Sequence, residues 1–353
     1  MVENMFLFSL LTGVFPYTFS SRDKIIIVKF SKLGLITNLC CCAFLTYEIL
    51  ILGVLTVEAI QHQSPSADLK FAIKIANTVF LLVILIRRLI SSKEEADMWS
   101  KLLKKSQQMD QQWRKQYQND GIIFTTELLE IIAEYGIFCY VQFRQNNTFY
   151  SYDLTLLIRL GFEILVLTML TTEQRLHVHL NNCLRCDTMK NSLNVHNFRI
   201  RLDGLHELRM LINKCYSLDL LLYFVSVQLL MLLECFDWIK MFSNSEALKI
   251  AVMVLGMLRI MRLFCIMTYI ISRWCSIGEE SNKTLEYLFE YDADKFSCHT
   301  NYQLELLLDD IQTRNKLFSA HKLYDINMPL LYNICGTVFA YLILIMTSSS
   351  VQS

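Results

Sequence analysis

Proline is nearly absent, at 3 in 353 residues, and glycine is scarce at 10. Sandwiches and barrels need turn-forming residues at every strand end, so their chemistry is missing and long helices remain. Charge is short as well, since Asp, Glu, Lys and Arg make up 19% of the chain, against about 25% in soluble domains. Lys+Arg and Asp+Glu are 33 each, which leaves no basic excess to neutralise the phosphates of a nucleic acid. What is abundant is apolar: 54% of residues are hydrophobic and the mean hydropathy is +0.35. This composition points to a helical membrane protein.

Disulfide and enzyme signatures are also lacking. Cys40, Cys41, Cys42, Cys139, Cys265 and Cys335 sit inside apolar runs, where a thiol acts as a small hydrophobe rather than half of a scaffold. No Gly-rich phosphate loop or Gly-x-Ser-x-Gly elbow is present, and His206-Glu207 has no second histidine one turn on. His177, His179, Cys183 and Cys186 are zinc-ligand types. However, His177 and His179 are two apart on a helix and face different ways. Neither an enzyme nor a metal or cofactor site is expected.

A helical span takes about 20 mainly apolar residues. Seven stretches qualify, near 33–57, 71–86, 121–143, 154–171, 216–233, 250–271 and 326–346. The reading is all-α, one seven-helix unit over residues 1–353. Of the 33 basic residues, 25 fall in the N-terminal segment and the segments 87–120, 172–215 and 272–325, and 4 (Lys70, Arg144, Lys240 and Lys249) on the other side. Basic residues stay in the cytoplasm, so the N-terminus is expected inside and the C-terminus outside. A receptor coupled to G proteins has the reverse orientation.

Charges inside spans point to function by default. Glu130 and Glu134 share one face of the third span, Arg259 and Arg262 one face of the sixth, and the two sets lie at matching depths. The sequence therefore predicts buried pairs of Glu134 with Arg259 and Glu130 with Arg262, or another buried partner for each. Arg159 and Glu163, four apart on the fourth span, are expected to satisfy each other. Between Ser276 and Asp310, nine acids stand against Lys283 and Lys295, which would gather cations at the inner mouth of a pore. Residues 98–118 and 302–322 have apolar positions at helical spacing and read as helices continuing below the bilayer.

The chain's end runs from Leu317-Phe318-Ser319-Ala320 to Asp325-Ile326-Asn327, then from Gly336 to Thr347. It resembles the last-helix signature of insect gustatory receptors: a Phe-x-Ala element, a polar step, then Thr-Tyr, five apolar residues and Gln-Phe. Tyr341 and the apolar five match; Ala340 replaces the Thr, and Thr347 and Ser348 stand where Gln-Phe would be. Gly13-Val14-Phe15-Pro16 is similar to the family's early Gly-x-x-Pro element. The resemblance implies a plasma-membrane, ligand-gated, nonselective cation channel, a homo- or hetero-tetramer in which four copies of the last helix surround one pore. It implies a small-molecule tastant, bitter rather than sugar. The pore face would comprise Tyr341, Leu344, Thr347 and Ser348, with Leu344 as an apolar constriction. Tyr135, Phe138 and Gln228 are the candidate ligand contacts in the outer half of the bundle. A transporter of small solutes remains the alternative.

Overall fold

The computed structural model describes residues 13–22, 25–61, 65–107, 152–185, 192–242, 247–289, 298–314, 319–320 and 324–350. Among them are eight helices: α1 (Lys32–Gln61), α2 (Pro65–Ile90), α3 (Ser92–Gln107), α4 (Tyr152–Arg185), α5 (Ser192–Phe242), α6 (Ala247–Phe289), α7 (Cys298–Arg314) and α8 (Met328–Ser350). Two short antiparallel hairpins accompany them, β1 (Tyr17–Arg22) with β2 (Ile25–Phe30) and β3 (Ser319–Ala320) with β4 (Tyr324–Asp325). The first hairpin is explained by the β-branched run Ile25-Ile26-Ile27-Val28, which packs well on a pleated surface. Five of the seven expected spans fall inside α1, α2, α4, α5 and α6, and the last, 326–346, overlaps α8 from Met328; the third, 121–143, lies outside the described residues.

Helix ends follow their sequence signals. Ser31 caps α1, its Oγ accepting from the Gly34 N–H at 3.3 Å. Asn327 does the same for α8, its Oδ1 accepting from the Leu330 N–H at 3.2 Å. The α2–α3 break is held by Ser91, whose hydroxyl donates to the Arg87 carbonyl at 2.8 Å. In α3, Glu94 and Glu95 occupy the first turn and Lys104 and Lys105 the last, each sign at the end of the helix dipole that favours it.

The long helices outrun a membrane. α5 has 51 residues, about 77 Å at 1.5 Å per residue, where a bilayer core is about 30 Å thick. α4 and α6 also extend past their apolar stretches, so α4, α5 and α6 pack along both the apolar and the polar parts. Around α1 the surface is greasy: Leu33, Ile36, Leu39, Leu50 and Val54 are each more than half exposed. A surface of that kind suits lipid, not water. The segment before β1 behaves differently. Val14 and Phe15 are fully buried, with the Phe15 ring edge-on to Trp99 at 5.5 Å, so these two residues serve the protein core.

Candidate ligand cavity, charge network and last helix

At the end of the bundle where α1 leads into α2 lies a cavity of about 40 Å³. Glu48 of α1, Lys74, Asn77 and Thr78 of α2, and Thr155 and Arg159 of α4 line it, with Leu230 of α5. All the polar residues but Lys74 are buried. Arg159 is held by two neutral groups on neighbouring helices: its Nη2 donates to Asn77 Oδ1 at 2.5 Å and to Ser226 Oγ at 2.6 Å. The Ser226 hydroxyl in turn donates to Asn77 Oδ1. Three helices are thus tied by one guanidinium, one amide and one hydroxyl, a polar knot in an otherwise apolar layer.

The expected pairing of Arg159 with Glu163 along α4 does not form. Glu163 instead accepts from the Tyr223 hydroxyl at 2.8 Å and faces Arg262 at 3.6 Å. Cross-helix partners win because Asn77 and Ser226 reach Arg159 from the side that packs, whereas an i, i+4 pair lies along the helix surface. Arg259 stands 3.5 Å from Glu234 of α5. Glu130, Glu134, Tyr135 and Phe138 lie outside the described residues. Gln228 is half-buried on α5. It sits two residues from Leu230, about 200° of rotation along the helix, so it faces away from the wall that Leu230 contributes.

At the opposite end, a second network joins α2, α3 and α5. The Arg88 guanidinium is almost completely buried. Its Nη1 donates to Glu95 Oε1 at 2.9 Å and to the Val14 carbonyl at 3.4 Å, and its Nη2 stands 3.3 Å from Asp219. It also lies over the Tyr216 ring at 4.8 Å and the Phe162 ring at 5.1 Å. The Tyr216 hydroxyl donates to Glu95 Oε1 at 2.7 Å and accepts from Trp99 Nε1 at 3.0 Å. Arg87 pairs with Asp219 as well. Sequence spacing could not find these partners, because they come from different helices. The legible signal was only that Arg87 and Arg88 end an apolar run.

Beyond the apolar part of α4, Glu173 and His177 are buried against α5 and α6. Arg209 Nε donates to Glu173 Oε1 at 3.4 Å, and Arg209 Nη2 stands 3.3 Å from His177 Nε2. A guanidinium only donates, so Nε2 accepts and the imidazole is neutral with its proton on Nδ1. Burial, then the Arg209 charge, pushes the His177 pKa down to about 3. Burial raises that of Glu173 against the pull of Arg209. His179 contacts Cys183 Sγ at 3.8 Å, and no group of three or more metal-binding side chains gathers among the described residues.

The last helix has two sides. Leu331, Ile334, Val338 and Leu342 are buried, packing α8 on α5 and α6. Opposite them the exposed arc divides. Tyr332, Phe339 and Ile343 make a bulky strip, while Asn333, Gly336, Ala340, Leu344 and Thr347 make a strip of mostly small or polar residues. Leu344 is 64% exposed and Tyr341 53%. The Thr347 hydroxyl donates within the helix to the Ile343 and Leu344 carbonyls, both at 3.0 Å. Ser348 continues the helix one residue further.

These features can be set beside known proteins. The family model of the 7tm chemosensory receptors matches residues 4–350. No curated protein matches the chain. Among solved structures it is similar to the insect olfactory receptor OR5 from Machilis hrabei, at 10% identity and a TM-score of 0.72 over 98% of this chain and 97% of that one. The same receptor in complex with eugenol gives 11% identity and a TM-score of 0.74 with the same coverage. At such identity the likeness shows the fold, a multi-pass membrane bundle. With the family model spanning nearly every residue and the helices following that fold from end to end, the chain belongs to the 7tm chemosensory receptor family.

Proposed function

We propose that this chain is a gustatory subunit of a ligand-gated, nonselective cation channel in the plasma membrane, opened by a small-molecule tastant other than a sugar. The observation that carries the reading is the polar cavity between α1, α2, α4 and α5. Buried cations and amides inside a bundle are costly, and by default they mark a ligand or ion site. With the N-terminus inside, the α1–α2 end faces outward and the cavity lies where a tastant arrives. The related OR5 receptor is known in complex with a small molecule, eugenol, which supports the same use of the bundle here.

The pore belongs to α8 in this reading. Four copies arranged with their packed faces outward would turn the strip of Asn333, Ala340, Leu344 and Thr347 toward a common axis, and the hydroxyls of Thr347 and Ser348 would ease a hydrated cation past the outer mouth. Leu344 would close it by dewetting. Assembly is as a homo- or hetero-tetramer. Whole-cell recording of the expressed chain, alone and with co-expressed gustatory subunits, against bitter and sweet compounds is the test. Compound-evoked current reversing near 0 mV in mixed sodium and potassium is expected. Surface-expressed protein that takes up solute yet passes no evoked current would overturn the channel and leave the transporter.

A further inference from the structure

The two histidines of the zinc-ligand run do face different ways, as their spacing requires, and His177 turns inward to Arg209. The pair that meets is another one. His179 and Cys183 are four apart on α4 and share a face, where the imidazole Nε2 stands 3.8 Å from the thiol Sγ. Asn181, midway between them in sequence, is buried and donates to the Glu280 carbonyl of α6 at 2.8 Å. Two residues along a helix is about 200° of rotation, so His179 and Cys183 lie on the side of α4 turned away from α6. Both are half-buried, and solvent reaches them.

The separation matches a coordination geometry. Zinc takes a thiolate sulfur at about 2.3 Å and an imidazole nitrogen at about 2.1 Å in a tetrahedral arrangement, which sets the two ligand atoms about 3.6 Å apart. The observed pair is close to that spacing, on a helix that already fixes both Cβ atoms, so binding needs no change of backbone. A thiolate with an imidazole suits zinc and does not suit calcium or magnesium, which take oxygen ligands. On binding, the thiol proton leaves to solvent, the thiolate and the neutral imidazole each give the ion an electron pair, and nothing is oxidised. With the N-terminus inside, this part of α4 is in the cytoplasm, where thiols stay reduced. We infer that His179 and Cys183 form a two-ligand site for a zinc ion, with water in its remaining positions. Such a site is open and exchangeable, unlike the closed four-ligand sites that hold a fold together.

The test reads one thiol at a time. The reduced, metal-free full chain in detergent is treated with iodoacetamide over a range of zinc concentrations, and the label on Cys183 is followed by peptide mass spectrometry. Zinc should slow labelling of Cys183, because a coordinated thiolate no longer attacks the reagent, and calcium at the same concentration should not. His179→Gln keeps a good helix former at an incompletely buried position. It should raise the half-protecting zinc concentration at least tenfold, since even an outer-shell partner is worth about 10–100-fold in metal affinity. Equal protection in His179→Gln, equal protection by calcium, or no protection at all would overturn the site. Where Cys183 resists the reagent without zinc, cobalt(II) decides: its sulfur-to-metal charge-transfer absorption should fall in Cys183→Ser and in His179→Gln, and absorption unchanged in either variant would overturn the site as well.

Discussion

His177 is neutral because two effects act in the same direction: it has lost its water, and the Arg209 cation stands 3.3 Å away. Its pKa in the folded chain is lowered to about 3, while an unfolded histidine titrates near 6.5. The unfolded state therefore takes up a proton first as the pH falls. The contribution of this group is fully present above about pH 6.5 and is lost at about 1.4 kcal/mol per pH unit below it, until about pH 3. Stability of the purified chain in detergent should fall between pH 7 and pH 5, and His177→Gln should flatten that part of the profile. An identical slope in the variant would show that other groups set the acid sensitivity. The sequence places His177 on a helix continuing from the fourth span, as observed, but not its partner on α5, because a contact 32 residues away leaves no periodic mark.

α8 is where periodicity in the sequence is most informative and still incomplete. The buried positions 331, 334, 338 and 342 recur at helical spacing, so one face is committed to the bundle by hydrophobicity alone. The remainder of the surface is mostly exposed within one subunit, Ile343 at 62% and Leu344 at 64% alike. In the proposed tetramer, a neighbouring copy would separate them. Cysteine at 344, 347 or 348 should react with a water-soluble thiol reagent applied from outside and change the current, and cysteine at 343 or 346 should stay silent. Uniform reactivity at all five positions, or none anywhere, would remove α8 from the pore. Scarce glycine and proline argue against turns, yet two hairpins form among the described residues, the first built on a run of isoleucines.

For the molecule as a whole, the split of 25 basic residues against 4 predicts the N-terminus inside and the C-terminus outside. An epitope tag at the N-terminus should stain only after permeabilisation, and one at the C-terminus should stain intact cells. Surface staining of the N-terminal tag would reverse the molecule and move the α1–α2 cavity to the cytoplasmic side. The sequon Asn282-Lys283-Thr284 adds an independent reading. It should carry no glycan, and Thr284 is buried with its hydroxyl donating to Asn181 Oδ1 at 2.6 Å. A glycan there would break both the orientation and the α4–α6 contact.

Composition alone determined the helical membrane class, and together with charge placement it gives the expected spans and the expected sidedness. Each depends on summed preferences along the chain, for lipid over water and for cations on one side, and such sums survive errors at single positions. The family signature was legible in part, through Tyr341 and its apolar five and through Gly13, which adopts φ +71° where a Cβ would stand 2.8 Å from Asn38 Cα. The partners of buried charges were a different matter. Depth arithmetic offered Glu134 and Glu130 to Arg259 and Arg262, and among the described residues those arginines face Glu234 and Glu163. The cavity, the Arg159 knot and the Arg88 clamp each join three or more helices at one point. Which faces meet there depends on how the helices rotate and cross to exclude space, a choice made by packing in three dimensions that no period along a single helix records.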